Sequence, residues 1–217
     1  MMNSIFNFTP HHYFLNGYGL PHFIVGILVI LEGIFVFFQG KKAIAPTAYF
    51  LITLTSGIFL TGVGIVCGMT QEGLALDVSR YYTWFGIIFV TPSVYFFSAT
   101  WTANLLREKK WIIQFNFLVA LGFYLLALFS PYLVQGMRRY PTGYFPKAGF
   151  LELPFIAWFY TLVSLAFVNF IRIHREATTA SAKKNTKLIF IAFAIAFIGS
   201  VEFLPNYGMN VFPAAFL

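Results

Sequence analysis

Charge is what this chain has least of. Of its 217 residues only 10% are Asp, Glu, Lys or Arg, and just seven are acidic. A water-soluble domain carries about 25% charged residues, so an ordinary hydrated surface is excluded. Cysteine is almost missing as well. Cys67 stands alone inside an apolar run, which rules out an internal disulfide and leaves the redox compartment unmarked. GxSxG, HExxH and a glycine-rich phosphate loop are all absent, so no enzymatic chemistry is expected within these residues. Every lysine falls in a loop or at a helix end, which removes a retinal-type Schiff base from the same stretch. The opening "MMNSIFNFTPHHYFLNGYGLP" has neither a basic n-region nor a small-residue cleavage site. The first apolar segment is therefore expected to remain as a membrane helix and not to leave as a signal peptide.

What the chain does have is apolar surface: 59% of residues are hydrophobic and 21% aromatic. A spanning helix needs about 20 mostly apolar residues. Six segments qualify, namely His22–Gln39, Thr47–Thr70, Tyr81–Trp101, Trp111–Val134, Leu153–Ile173 and Lys187–Leu204. These runs are too long for strands and show no period-two alternation. The expected fold class is all-α: one polytopic membrane bundle over residues 1–217, with six transmembrane helices. Residues 209–217, "MNVFPAAFL", are expected to open a seventh that this sequence does not complete.

The connections orient the bundle. Lys41 and Lys42 follow the first span, Arg107, Lys109 and Lys110 the third, and Arg172, Arg175, Lys183, Lys184 and Lys187 the fifth. The opposite side holds only Arg80, Arg138, Arg139 and Lys147. By the positive-inside rule the richer side is cytoplasmic and the N-terminus lies outside. The net charge of +7 is then a matter of topology and lipid head groups. No basic stretch carries a nucleic-acid motif, so no nucleic-acid partner is expected.

A few residues break the apolar pattern. Glu32 lies eight residues before Gly40, about 12 Å into the first span. A carboxyl at that depth is costly unless it is paired, protonated or turned inward. It reads either as a ligand contact or protonation switch, or as an acid hydrogen-bonded to a neighbouring helix. Glu202, near the outer end of the sixth span, reads as a salt-bridge partner of Arg80, Arg138 or Arg139, or as a ligand contact. Glu152 sits at the start of the fifth span, where a helix N-terminus favours negative charge. The outer side is crowded with Tyr13, Phe14, Tyr18, Tyr81, Tyr82, Trp84, Tyr140, Tyr144, Phe145 and Tyr207. Such residues form interfacial belts. They would also suit a lid, because Pro141, Gly143, Pro146 and Gly149 let the 135–152 loop fold back over an apolar pocket. His11, His12 and His22 do not make a recognisable ligand set, so no metal, haem or other cofactor is expected. Gly64 and Gly68, and Ala192, Ala196 and Ser200, are small-residue stripes read as intramolecular helix packing.

Three stretches carry a family resemblance. "YPTGYFPKAGFLELPF" (Tyr140–Phe155) is similar to the Gly-Tyr-Tyr-Pro-Lys-Ala-Gly loop before helix 5 of bacterial N-terminal seven-helix sensor modules. These modules precede histidine kinase, diguanylate cyclase and related output domains. "GSVEFLPNYGMNVFP" (Gly199–Pro213) resembles their segment Gly…Asn/Asp-Phe-Leu-Pro…Tyr-Gly-Ile…Tyr-Pro, with Glu202 where Asn or Asp is more usual. "YYTWFGIIFVTPSVYFFSATW" resembles their aromatic third helix with a central proline. The resemblance implies a sensor or receptor module of the bacterial inner membrane, part of a two-component or related signalling system, with a seventh helix and an output domain beyond Leu217. A small hydrophobic or amphipathic ligand, or the state of the membrane, would be read near the outer face. The expected ligand-contacting residues are Glu32, Tyr144, Lys147, Glu202 and Tyr207. The composition equally suits a non-catalytic accessory subunit, held by lipids, by a second copy of itself or by other integral-membrane subunits.

Overall fold

The computed structural model describes residues 12–40, 43–101 and 103–209, with side chains throughout except at 103–104 and 198–202. Six helices are found among them: α1 Gly19–Gln39, α2 Ile44–Cys67, α3 Glu72–Ala99, α4 Ala103–Phe129, α5 Glu152–Glu176 and α6 Ala180–Ile198. A 3-10 segment, Gly199–Tyr207, continues from α6, and a hairpin of β1 (Val134–Tyr140) and β2 (Gly143–Ala148) separates α4 from α5. His11, Lys41, Lys42 and positions 210–217, where a seventh helix was expected to open, lie outside the described residues.

Among the described residues, five helices are long and apolar enough to cross a membrane: Gly19–Gln39, Ile44–Cys67, Glu72–Ala99, Leu105–Phe129 and Glu152–Glu176. α6 is not among these five. Its first turns hold Lys183, Lys184 and Lys187, and the α-helix gives way to the 3-10 segment after Ile198. The expected sixth span, 187–204, is thus the second half of α6 joined to much of that segment. α4 starts at Ala103, earlier than the expected Trp111, because Arg107–Lys110 are good helix formers and nothing there stops the helix. It ends at Phe129, short of the expected Val134, because Ser130 precedes Pro131, and the residue before a proline disfavours helical backbone. The connection after it, read from sequence as a loop, is a paired ladder. Arg139 faces Tyr144 across it, and Met137 faces Pro146.

α1 and α2 form the closest helix pair. Gly19, Gly26 and Gly33 recur every seven residues on α1, and each meets α2. A Cβ on Gly26 would lie 2.9 Å from the Gly57 carbonyl oxygen, and one on Gly64 would lie 2.7 Å from that of Gly19. Close backbone approach of this kind is what small residues supply between membrane helices. Gly64 therefore serves intramolecular packing, as expected, and Gly68 lies beneath the Tyr13 ring.

The remaining packing is aromatic. Phe97 meets Phe170 and Phe193 toward one end, while Phe155 meets Trp84, Phe123 and Phe203 toward the other. Such ring pairs add about 0.5–1.5 kcal/mol beyond the area they bury. Polar groups inside the bundle are mostly paired. Asn169 donates to Ser98 Oγ at 2.9 Å, and Trp158 donates to Asn116 Oδ1 at 2.9 Å. α6 packs mainly on α5 and the 3-10 segment, and it meets α1 little by comparison with these. That looseness leaves space inside the bundle.

Candidate functional site

The hairpin, the segment before α1, the α2–α3 turn and the 3-10 segment all gather at one end of the bundle. Asn16 is the knot. Its Nδ2 donates to the Cys67 carbonyl at 2.7 Å and to the Thr142 carbonyl at 3.0 Å. Its Oδ1 accepts the Tyr18 backbone N–H at 2.8 Å. One buried amide thus ties the entry to α1, the exit of α2 and the hairpin turn. Gly143 seats the same turn directly on Cys67, with φ of +132°. On the other flank, the Tyr140 hydroxyl donates to the Pro205 carbonyl at 2.8 Å, joining β1 to the 3-10 segment. The hairpin is therefore folded back and pinned, the arrangement that Pro141, Gly143, Pro146 and Gly149 would allow.

Behind it lies a cavity of about 380 Å³, toward the smaller end of the ~300–1,000 Å³ range of small-molecule sites. Tyr144, Phe145 and Pro146 of β2 close its hairpin end, together with Trp84 and Phe203. Val29, Ile52, Leu60, Val90, Val94 and Ala196 line its depth. Three polar side chains face it at the hairpin end, Ser79, Thr83 and Asn206. Among the described lining residues none is Asp, Glu, Lys, Arg or His.

Ser79 and Thr83 bound a single π turn, Ser79–Thr83, in which the Trp84 N–H reaches five residues back to the Ser79 carbonyl. Such turns within α-helices are uncommon and concentrate at functional sites. Asn206 donates from Nδ2 to Glu152 Oε1 at 2.7 Å, and both residues are buried. Glu152 opens α5, as expected, but acts as a buried acceptor and not as an exposed end charge. Replacing Glu152 with alanine leaves the Asn206 amide without its acceptor, and an expected loss of about 1–3 kcal/mol follows. Glu152→Gln keeps an acceptor oxygen and loses less; paired thermal melts in detergent check the order.

Of the four expected contact residues whose side chains are described, one lines the cavity. Tyr144 is there, with the Arg139 guanidinium 5.7 Å over its ring. Lys147 stands exposed on β2, facing Gly136 across the ladder. Tyr207, at the end of the 3-10 segment, is 41% exposed. Its phenol is pushed up to about 12, by burial first and by Glu152 second. Glu32 lies on the outward face of α1, where the Tyr49 hydroxyl donates to it at 2.6 Å. The Glu202 side chain lies outside the described residues, so its expected ion pair stands without a geometry. The three arginines named for it have other contacts. Arg80 donates to the Val134 carbonyl at 2.7 Å, Arg138 reaches the Tyr140 hydroxyl at 3.4 Å, and Arg139 stacks on Tyr144.

Asn16, Ser79, Thr83 and Asn206 were not singled out from the sequence. Asn16 and Asn206 tie the fold together through contacts 51 to 126 residues away, which no local pattern reveals. Among the described residues, no group of three or more His, Cys, Asp and Glu is placed to hold a metal. His22 is buried in α1, with Nδ1 donating to the Tyr18 carbonyl at 3.0 Å. No family model, no curated protein and no solved structure matches this chain.

Proposed function

We propose that this chain is the membrane-embedded sensor module of a bacterial signalling protein, one that reads a small hydrophobic or amphipathic ligand at the outer face. The basic end, with Arg107, Lys109, Lys110, Arg172, Arg175, Lys183, Lys184 and Lys187, faces the cytoplasm, and the hairpin end faces outward. One observation carries the reading: an apolar cavity between helices, closed by a pinned hairpin and bordered by a helix, α6, that packs mainly on a single neighbour. A ligand shifts a conformational equilibrium only through different affinity for its two states. A site bordered by a loosely packed helix supplies such a difference, because filling it changes where that helix rests.

The test is hydrogen exchange on the protein in lipid nanodiscs. Ala196 lines the cavity, and Ala196→Phe fills it from within. Either added decane or that substitution is expected to slow exchange in 134–148 and to alter it in 176–187 at the opposite end. If both leave the two segments unchanged, the cavity is passive and the receptor reading falls.

A second reading rests on a different observation, Glu32 on the outward face of α1 among Leu28, Leu31 and Phe35. A carboxyl facing hydrocarbon is costly even with one tyrosine partner, and a neighbouring membrane helix would cover it. That favours a non-catalytic subunit of a larger membrane complex. Both readings are compatible with a multi-pass protein of the bacterial inner membrane.

A further inference from the structure

The hydroxyls of this bundle follow a rule, and two lining the cavity break it. Inside an apolar helix a Ser or Thr hydroxyl donates to the carbonyl three or four residues back. Thr53, Thr55, Thr61, Ser93, Ser98, Ser130, Thr161 and Thr186 all do so, at 2.7–3.0 Å. Ser79 and Thr83 do not. Their oxygens are buried, the residues 1% and 6% exposed, and neither has a hydrogen-bond partner among the described residues. The π turn bears on Thr83, because the carbonyl four residues back, that of Ser79, is taken by the Trp84 N–H; the Ser79 N–H still bonds Ala75 and Leu76 as in an ordinary helix. Thr91 and Thr142 are also unpartnered, but neither lines the cavity. Leaving a buried hydroxyl unpaired costs free energy, and here two such costs fall at one end of one cavity.

The rest of the cavity says what would pair them. From Ser79 to Val94 its wall follows α3 for fifteen residues, about 22 Å at 1.5 Å per residue. A volume of about 380 Å³ spread along that length is narrow, suited to one extended chain. The deep wall is aliphatic and aromatic but for Ser56, while Ser79, Thr83 and Asn206 cluster at the hairpin end. No described lining residue carries charge, so an ionic head would enter without a counter-ion, at the full cost of burying it.

Resting on the receptor reading above, we propose that the ligand is an uncharged single-chain amphiphile, of the alcohol, ester or amide class. Its head pairs with the hydroxyls of Ser79 and Thr83 beneath Tyr144 and Phe145. Its tail runs toward Val94.

Photolabelling tests this. Dodecanol carrying a mid-chain diazirine, the matching carboxylic acid, the primary amine and the plain alkane are each added to the protein in phosphatidylcholine nanodiscs. The cross-links are then located by peptide mapping. The alcohol is expected to label 52–66 and 192–197 at about tenfold lower concentration than the acid, the amine or the alkane, the size expected of one or two neutral hydrogen bonds. Ser79→Ala combined with Thr83→Val should bring the alcohol down to the alkane's level. Thr83→Ser, which keeps the hydroxyl, should retain the preference. Because the removed hydroxyls have no partner among the described residues, neither variant should lower the melting temperature, whereas groups with a structural role would.

Equal labelling of those peptides by all four probes would overturn the head-group inference and leave the cavity a plain apolar site whose hydroxyls water satisfies. Labelling confined to lipid-facing Ile24, Leu28 and Phe35 would overturn that inference and the receptor reading together.

Discussion

Asn16→Asp is expected to cost about 2–4 kcal/mol, although the two side chains differ by one atom. The native amide donates two hydrogen bonds from Nδ2, to the carbonyls of Cys67 and Thr142, while Oδ1 accepts from Tyr18. Aspartate keeps the acceptor and puts an oxygen where the donor was. Two lost bonds at about 0.5–1.5 kcal/mol each, plus the unmet demand of two buried carbonyls, set that scale. Oxygen facing oxygen adds repulsion, so Asp should be worse here than Ala. The sole cysteine supplies the readout. Cys67 is fully buried where the hairpin turn rests on it, and its rate of reaction with a maleimide measures how often that turn lifts. Asn16→Asp should raise the rate at least tenfold and lower the melting temperature. A rate and melt equal to the parent protein's would mean that Asn16 does not hold the hairpin.

The bundle was readable because hydrophobic length is a strong signal. The five helices that meet the length and apolarity of a span all overlap runs read from sequence, and only their ends moved. Those ends moved for local reasons. Charged helix formers at 107–110 extend α4 backward, and Pro131 stops it early. Glu72–Val78 extends α3 backward past the expected Tyr81. The hairpin was hidden in plain view. "VQGMRRYPTGYFPKA" (Val134–Ala148) has a turn signal, Pro-Thr-Gly, between two segments of strand length, and a search for spans passes over it. The glycines and prolines allowed a fold-back over the bundle beside the reading as an interfacial belt, but the regular pairing depends on contacts between the two segments.

The site itself was legible only in its rim. Tyr144 could be named because an aromatic in a fold-back loop has few other places to go. Glu32 could be placed in depth but not in azimuth: counting from Gly40 gives height in the membrane, while the face it takes depends on how α1 meets α2. That is set by Gly19, Gly26 and Gly33, which turn toward α2 and leave Glu32 pointing outward beside Tyr49. Ser79 and Thr83 carried no signal at all, since single hydroxyls in helices are ordinarily satisfied by their own backbone. What sets them apart is that both are buried against the cavity without a partner among the described residues, which is not visible in the letters.

Gly143→Val should be the most damaging substitution in the hairpin, and its comparison with Gly136→Ala shows why. Gly143 has φ of +132°, a conformation that a β-branched residue adopts only with strain of roughly 1–3 kcal/mol. A Cβ there would also lie 2.6 Å from both the Cα and the carbonyl oxygen of Cys67. Backbone on backbone cannot yield as a side-chain tip would, so the turn must rise. Tyr144 and Phe145, the next two residues, would then leave the cavity mouth. Gly136, in the facing strand, meets nothing closer than Glu72 Oε1 at 3.9 Å, so alanine there should be neutral or slightly stabilising. The expected pattern for Gly143→Val is unchanged helical circular dichroism, fast maleimide reaction at Cys67 and loss of decane's protection of 134–148. Gly136→Ala should match the parent in all three. If the two variants behave alike, the hairpin is a passive surface loop, and the closed end of the cavity owes nothing to its seat on α2.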